Sequence, residues 1–422
     1  MRPLARAAVI AVGSEMLTPQ RLDTNSLFIT THLNALGVDV VFKGVVGDDR
    51  AELGALLSHA LARVDLVVCC GGLGPTDDDV TREVAADVLG CTLREDDAIT
   101  AHLRERYARR FSGPMPEINR RQAMVPEGAR VLSNPRGSAP GLWMEANERL
   151  LLLLPGPPRE LKPMVEALVP LLRERAAGQS LIRRVLKIAG RIESQTEEQL
   201  RPLYAEWRGW LVPIEATILA ALGQLELHLS ARSADVSAVE AALDAAVAQV
   251  CGVLGEDVFS TDGAALEAVV GAALRRAGYR IAIAESCTGG LILSRLTDVP
   301  GSSDYVKQGV VVYSNEAKTS LLGVPPELLD THGAVSEPVA TAMASGIRAR
   351  AGVDVGVGVT GIAGPGGGSE AKPVGTVAIA ASTPVGVRVR TFRFHGEREQ
   401  IKFQASQAAL DMVRRMLMHG QK

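Results

Sequence analysis

Ser286 and Cys287 stand in the run Ala284-Glu285-Ser286-Cys287-Thr288-Gly289-Gly290, where two side chains able to act as nucleophiles precede two glycines. Residues 279–284 read as a short buried strand and residues 291–296 as an amphipathic helix. On a strand-to-helix turn, free backbone N–H groups point outward and attract negative charge. The turn therefore offers a nucleophile together with an oxyanion or phosphate cradle. The plainer reading is a tight connection whose glycines only let the chain turn. Neighbouring side chains on such a turn face different ways, so only one of Ser286 and Cys287 can meet a substrate.

Two further segments strengthen the chemical reading. Residues 309–314 form a second apolar strand that ends in Tyr313, with Lys318 five residues on. Residues 353–359 form a third, which runs into Thr360-Gly361-Ile362-Ala363-Gly364-Pro365. Ligands of open α/β sheets bind outside the carboxyl ends of the strands, so three polar segments after three strands fit one site. A lysine serves as a base only where burial or nearby positive charge lowers its pKa. No Ser-His-Asp set is evident, which leaves Lys318 and Tyr313 to activate the serine, with Tyr313 expected to relay between Ser286 and Lys318. Backbone N–H groups of 288–290 are expected to hold an oxyanion, and the glycine-rich 360–369 loop a phosphate, with Lys372 or Arg398 supplying charge.

A second glycine-rich turn, Gly71-Gly72-Leu73-Gly74-Pro75-Thr76-Asp77-Asp78-Asp79, follows a buried strand at 64–70. Its N–H groups suit diphosphate-like anions, but no Gly-Lys-Ser/Thr follows, so it is not a P-loop. The aspartates would repel phosphate unless a divalent cation intervenes; otherwise they cap the next helix. Gly13-Ser14-Glu15 and Asp23-Thr24-Asn25 are expected beside them.

The elements that must position these groups alternate. Strands at 7–12, 38–46 and 64–70 are separated by helices at 24–36 and 50–62, a rhythm that predicts a parallel sheet with helices on both faces. The pairings across 61–155 are too irregular to assign, apart from a late strand at 149–154. Residues 176–180 read as a linker, and 181–254 as strand, helix, a hairpin (216–222 and 225–231) and a long alanine-rich helix. The expected fold class is α/β: two three-layer α/β domains with mostly parallel sheets, 1–173 and 258–422, joined by a small α+β middle domain, 174–257.

With 422 residues and 47% hydrophobic content the chain can fill several cores. A net charge of −3 gives no basic footprint for direct nucleic-acid binding. No apolar run is read as a membrane span, and the five cysteines form no CxxC, which fits reduced thiols and a cytoplasmic location.

The chain resembles the CinA (competence/damage-inducible) family from end to end. Its first part is similar to the molybdopterin-binding-fold domain of the MogA/MoaB proteins, through Val12-Gly13-Ser14-Glu15-Met16-Leu17, Asp23-Thr24-Asn25, the 71–81 run, Asn134-Pro135-Arg136-Gly137-Ser138 and Leu154-Pro155-Gly156-Pro157-Pro158. Its last part resembles the PncC-type nicotinamide-nucleotide amidase domain, through the 285–290 run, Pro300-Gly301-Ser302-Ser303, Tyr313-Ser314-Asn315-Glu316-Ala317-Lys318, Gly333-Ala334-Val335-Ser336-Glu337 and Thr360-Gly361-Ile362-Ala363-Gly364-Pro365.

The resemblance implies two hydrolases of pyridine-nucleotide salvage and NAD recycling. One deamidates nicotinamide mononucleotide (NMN), with Ser286 as nucleophile, Tyr313 and Lys318 as its helpers, and Thr288, Gly289, Gly290, Ser303, Thr360, Gly361, Ala363, Gly364 and Arg398 around the substrate; it uses no metal. The other hydrolyses ADP-ribose with a divalent metal (Co2+ or Mg2+) on Glu15, Asp23, Asp78 and Asp79, and K+ as an accessory ion. Gly13, Asn25, Gly71, Gly72, Gly74, Thr76 and Ser138 would bind that substrate. A homodimer is implied. The family has a glycine soon after its first motif where this chain has Thr18-Pro19-Gln20. That departure motivates the alternative of an amidase alone, with the first domain a nucleotide-binding, dimerisation or partner-binding module.

Overall fold

The computed structural model describes residues 2–176 and 178–419; Met1, Ala177 of the expected linker and residues 420–422 lie outside the described residues. The chain divides into two compact units, one running through Ile182 and taking in Ala231–Glu240, the other comprising Arg183–Ser230 and the chain from Ala241 onward. The expected middle segment, 174–257, is thus shared between them.

In the first unit the order is β1 (Arg6–Val12), α1 (Thr24–Ala35), β2 (Asp39–Val46), α2 (Arg50–Arg63), β3 (Leu66–Cys70), α3 (Thr81–Leu89), β4 (Leu93–Glu95), α4 (Asp97–Ala108), β5 (Met124–Pro126), β6 (Arg130–Leu132), β7 (Gly141–Ala146), β8 (Arg149–Leu154) and α5 (Pro158–Arg175). Six strands form one sheet, β2-β1-β3-β8-β7-β6, parallel from β2 to β8 and antiparallel beyond. Strand side chains alternate faces, and β1 shows the consequence. Ala7, Val9 and Ala11 join the core under α1 and α5, while Ala8, Ile10 and Val12 join the core under α2 and α3. Both faces are covered, so β3 is apolar throughout and β8 is apolar after its first residue, Arg149.

Next come β9 (Ser180–Ile188), α6 (Glu193–Trp207), β10 (Ile214–Ala221), β11 (Gln224–Ser233) and α7 (Val236–Leu254). With β12 (Val258–Ser260) the strands make a four-stranded sheet, β10-β11-β9-β12. Contrary to the sequence reading, one helical run among the described residues, α7 with the 3-10 turn that follows it (Val236–Asp257), is long and apolar enough to cross a membrane by length and composition, because its many alanines raise the mean hydropathy. Val239, Leu243, Ala246 and Val250, at helical spacing, are its fully buried positions.

The remaining elements are α8 (Leu266–Ala277), β13 (Ile281–Glu285), α9 (Leu291–Thr297), β14 (Val306–Val311), α10 (Asn315–Leu322), α11 (Pro326–His332), α12 (Glu337–Ala351), β15 (Val355–Gly361), β16 (Thr376–Thr383), β17 (Gly386–Arg393) and α13 (Arg398–His419). Their five-stranded sheet runs β14-β13-β15-β16-β17, with β13 parallel to both neighbours and β16 and β17 added antiparallel. Ile281 and Ile283 face the α8–α9–α13 layer; Ala282 and Ala284 face α10–α12.

Helix α12 lies so close to β15 that a Cβ on Gly358 would sit 2.4 Å from the Ala340 carbonyl oxygen and 2.6 Å from the Ala344 nitrogen. Both obstacles are backbone, so relief requires the helix to move. Gly358→Ala is expected to destabilise the unit by about 1–3 kcal/mol, read as a lower urea midpoint with unchanged m-value; an unaltered midpoint would contradict this packing.

Candidate functional site: a buried serine–lysine pair and a separate carboxylate-lined cavity

The carboxyl ends of the three parallel strands coincide. Glu285 is opposite Val311 on one side and Val359 on the other. The ladder continues one step further, with Ser286 N–H donating to the Val359 carbonyl (3.0 Å) and Val312 N–H to the Glu285 carbonyl (2.8 Å). Ser286, Val312–Tyr313 and Thr360–Gly361 therefore share one edge.

Lys318 reaches that edge from the first turn and a half of α10, whose N-cap Ser314 accepts from Ala317 N–H. The lysine is only 2% exposed. Its Nζ lies 3.4 Å from Ser286 Oγ and donates to the carbonyls of Val312 (3.1 Å) and Tyr313 (3.4 Å). Burial pushes its pKa below the ordinary lysine value, because a charged ammonium is disfavoured away from water. Cys287 points the other way, into the core with Ile292 and Val359. Burial pushes its thiol up to about 12, so it is not a thiolate near neutrality.

Three expectations are corrected. Tyr313 does not stand between serine and lysine: its side chain is 64% exposed, and its hydroxyl is held by Arg398 Nη2 at 3.1 Å. Strand alternation continued past β14 turns Val312 inward and Tyr313 outward, so only the Tyr313 carbonyl meets Lys318. Ser303 sits, exposed, just before β14. Since Ile281 pairs with Val306, that is the amino edge of the sheet, opposite Ser286. Gly289 and Gly290 do not offer their N–H groups as a cradle. Gly289 N–H donates to the Ser286 carbonyl (3.1 Å), and Gly290 N–H to Glu285 Oε2 (2.9 Å). Their φ values of +65° and +94° let the chain turn. Among the described residues, the N–H groups left without an acceptor on this turn are those of Cys287 and Thr288, and the buried Thr288 Oγ1 also lacks a partner.

The sequence reading missed Glu285. It is 1% exposed and its carboxylate accepts from Gly290, Ile292 (3.2 Å) and Leu293 (2.9 Å) N–H groups at the start of α9. An acidic side chain just ahead of a helix was the available signal. Lys402 was missed too: its Nζ is 3.6 Å from where a Gly289 Cβ would lie. One turn earlier on α13, Arg398 Nη1 donates to the Gly364 carbonyl (2.7 Å), so two cations flank the Ser286 turn. Thr360 Oγ1 donates to the Ala334 carbonyl (2.8 Å), Ala363 is buried, Gly361 packs against Cys287 and Val377, and Lys372 Nζ donates to the His332 carbonyl (2.7 Å).

In the first unit, a cavity of about 610 Å³ gathers Gly13, Glu15, Asp23, Asn25, Gly71, Gly72, Gly74, Asp78, Asp79 and Ser138. It also takes in Asp48 and Glu160, which the sequence reading omitted. Thr76 is not on its wall; its N–H and Oγ1 hold Asp79. Nor do the aspartates cap α3, whose N-cap, Val80, accepts no side-chain bond. Asp77 pairs with Arg121 (2.9 Å), and the nearby Thr76 hydroxyl and Arg121 guanidinium hold the Asp78 carboxyl below its usual range. Asp23 caps α1 through Ser26 N–H (2.9 Å). Among the described residues no three His, Cys, Asp or Glu side chains converge tightly enough to cage a metal. The Thr18 hydroxyl donates to the Glu15 carbonyl (2.7 Å), closing the short 3-10 turn Ser14–Leu17 at the point where the family pattern is broken. Asn25 Nδ2 holds the Gly156 carbonyl (2.7 Å), while its buried Oδ1 has no partner among the described residues.

Replacing Glu285 by Ala leaves three N–H groups at the start of α9, that of Ile292 buried, without an acceptor. A loss of about 1–3 kcal/mol in stability is expected, with Glu285→Gln intermediate because one amide oxygen still accepts. Urea unfolding of the three proteins checks the order, and equal stability of all three would remove the role given to the carboxylate.

Residues 263–417 match the family model described as "CinA C-terminal domain", and residues 8–174 the one described as "Probable molybdopterin binding domain". A CinA-like protein of Acidobacterium capsulatum is 48% identical over 417 residues, covering 98% of this chain and 100% of that protein. A CinA-like protein of Koribacter versatilis is 46% identical with the same coverage. Among solved structures, the CinA protein of Thermoplasma acidophilum is 36% identical, covers 40% of this chain and 98% of its own, and gives a TM-score of 0.38. With near-half identity over 98% of its length to the Acidobacterium and Koribacter proteins, the chain belongs to the CinA family.

Proposed function

We propose that the second unit hydrolyses the carboxamide of NMN to nicotinic acid mononucleotide and ammonia, with Ser286 as nucleophile and Lys318 as its base. The observation that carries this reading is a buried amine, shifted toward its neutral form, 3.4 Å from a serine hydroxyl at the carboxyl edge of a parallel sheet. Neutral Lys318 takes the Ser286 proton as Oγ attacks the amide carbon. The oxyanion is met by the N–H groups of Cys287 and Thr288. The lysine ammonium then protonates the leaving nitrogen, the C–N bond breaks, and ammonia departs from an ester on Ser286. Lys318 next removes a proton from water, which attacks the ester carbon; the carboxylate leaves and the serine regains its proton. Arg398 and Lys402 offer charge to the phosphomonoester, and the cationic pyridinium further favours neutral Lys318.

Ser286→Ala and Lys318→Ala are each expected to lower NMN turnover by about three orders of magnitude, and Lys318→Arg to give no rescue because arginine stays protonated. Near-normal turnover in either alanine variant would sink that residue's role. Since burial lowers the lysine pKa, the active neutral form is present above that pKa and is lost as pH falls. An acid limb lying below the ordinary lysine value of about 10.4 is therefore expected in kcat/KM. Its persistence in residual Lys318→Ala activity would assign it elsewhere.

For the first unit we propose hydrolysis of ADP-ribose at its pyrophosphate to AMP and ribose 5-phosphate. The support is the cavity that joins the 71–74 glycine turn to Glu15, Asp78 and Asp48. Asp23 and Asp79 are occupied by N–H and hydroxyl groups, so the donor set suits a hard divalent ion shared between one or two carboxylates and phosphate oxygens, not an all-protein cage. Glu15 and Asp78 are the residues to hold it, and such an ion would neutralise charge on the pyrophosphate. AMP release with Co2+ or Mg2+ is expected to survive in Ser286→Ala and to fall in Asp78→Asn. Absence of AMP from a protein that deamidates NMN would favour the amidase-only reading, which the Thr18-Pro19-Gln20 departure motivates.

A further inference from the structure

Strand β17 has a pattern that neither activity uses. Its sequence, with the residue that follows, alternates Arg388, Arg390, Phe392 and Phe394 on one face. That face lines a cleft of about 950 Å³, closed on the other sides by α13, the β9–α6 turn and the tip of the β10–β11 hairpin. The Phe392 and Phe394 rings stack 5.4 Å apart at 8°, and the Arg390 guanidinium lies 4.8 Å over Phe392.

The charge balance of the cleft is one-sided. Asp257 is neutralised by Arg191 and Arg415, and Asp411 by Arg414 and Arg415. Among the described residues, Arg388, Arg390 and Arg393 have no carboxylate partner, against one unpaired acid on the wall, Glu193. Unpaired guanidiniums beside a stacked aromatic pair suit a ligand that is anionic at one end and planar at the other. The volume is at the upper end of small-molecule pockets. The cleft is also distinct from the Ser286 edge: β17 lies three strands from β13, roughly 14 Å away at ordinary strand spacing.

We propose that this cleft is a binding site for a nucleoside phosphate, with phosphates on Arg388 and Arg390 and the base against the Phe392–Phe394 pair. The test uses the full chain and a photoreactive azido-adenine analogue of ADP, with labelled peptides mapped by mass spectrometry. Labelling within 386–394 or 404–415, suppressed by ADP but not by inorganic phosphate, is expected. The double variant Arg388→Ser/Arg390→Ser should lose about tenfold of that labelling, with NMN turnover unchanged and a cooperative thermal transition kept, since both arginines are exposed and neither has a carboxylate partner. Four results would overturn the proposal: label confined to the 610 Å³ cavity or the Ser286 turn, undiminished label in the double variant, equal suppression by phosphate alone, or stronger displacement by a short oligothymidylate, which would make the cleft a nucleic-acid groove.

Discussion

A buried carboxylate holds the Ser286 edge of the second unit in shape. Glu285 is the last residue of the central strand β13, and its side chain accepts three N–H groups from the first turn of α9 while its carbonyl stays in the sheet ladder. Strand end and helix start are thereby tied to one residue, and the five residues between them are confined to a tight turn. Burying a carboxylate is tolerable because the helix supplies both donors and a favourable dipole. The same bonds remove Gly290 from the pool of anion-binding donors and leave the Cys287 and Thr288 N–H groups open. The position of the serine, and the direction of the thiol beside it, follow from that tie.

Lys318 completes the edge at a cost of desolvation. Its contacts are a hydroxyl and two main-chain carbonyls, with no carboxylate in hydrogen-bonding contact. Carbonyl dipoles compensate an ammonium only in part, so the neutral amine is favoured relative to water. That is the condition under which a lysine can draw a proton from serine. Arg398 and Lys402 are outside this contact, one helical turn apart on α13.

The first unit, too, fastens backbone with carboxylates. Of the four acids expected to hold metal in the first unit, Asp23 and Asp79 fasten the backbone around the cavity. Glu15 and Asp78 remain at its wall. Thr76 is bound to Asp79, so the hydroxyl stiffens the glycine turn in place of lining it. The break from the family pattern at Thr18 is absorbed locally, by a hydroxyl on the Glu15 carbonyl.

Strand and helix periodicity in the amino-acid sequence was enough to identify two α/β sheets covered on both faces, and the polar segments after 284, 312 and 359 were enough to place three of them at one edge. Parallel strands covered by helices demand apolar runs, and ligand-facing turns demand glycine and hydroxyls, so both leave local marks. Side-chain partners leave none. Whether Tyr313 faced the serine or solvent depended on one step of strand alternation, and Ser303, adjacent in motif, fell at the opposite edge because β14 carries the chain across the sheet in between. Glu285, Lys402 and the irregular pairings of 124–154 were likewise settled by packing, since each contact joins residues that only the folded chain brings together.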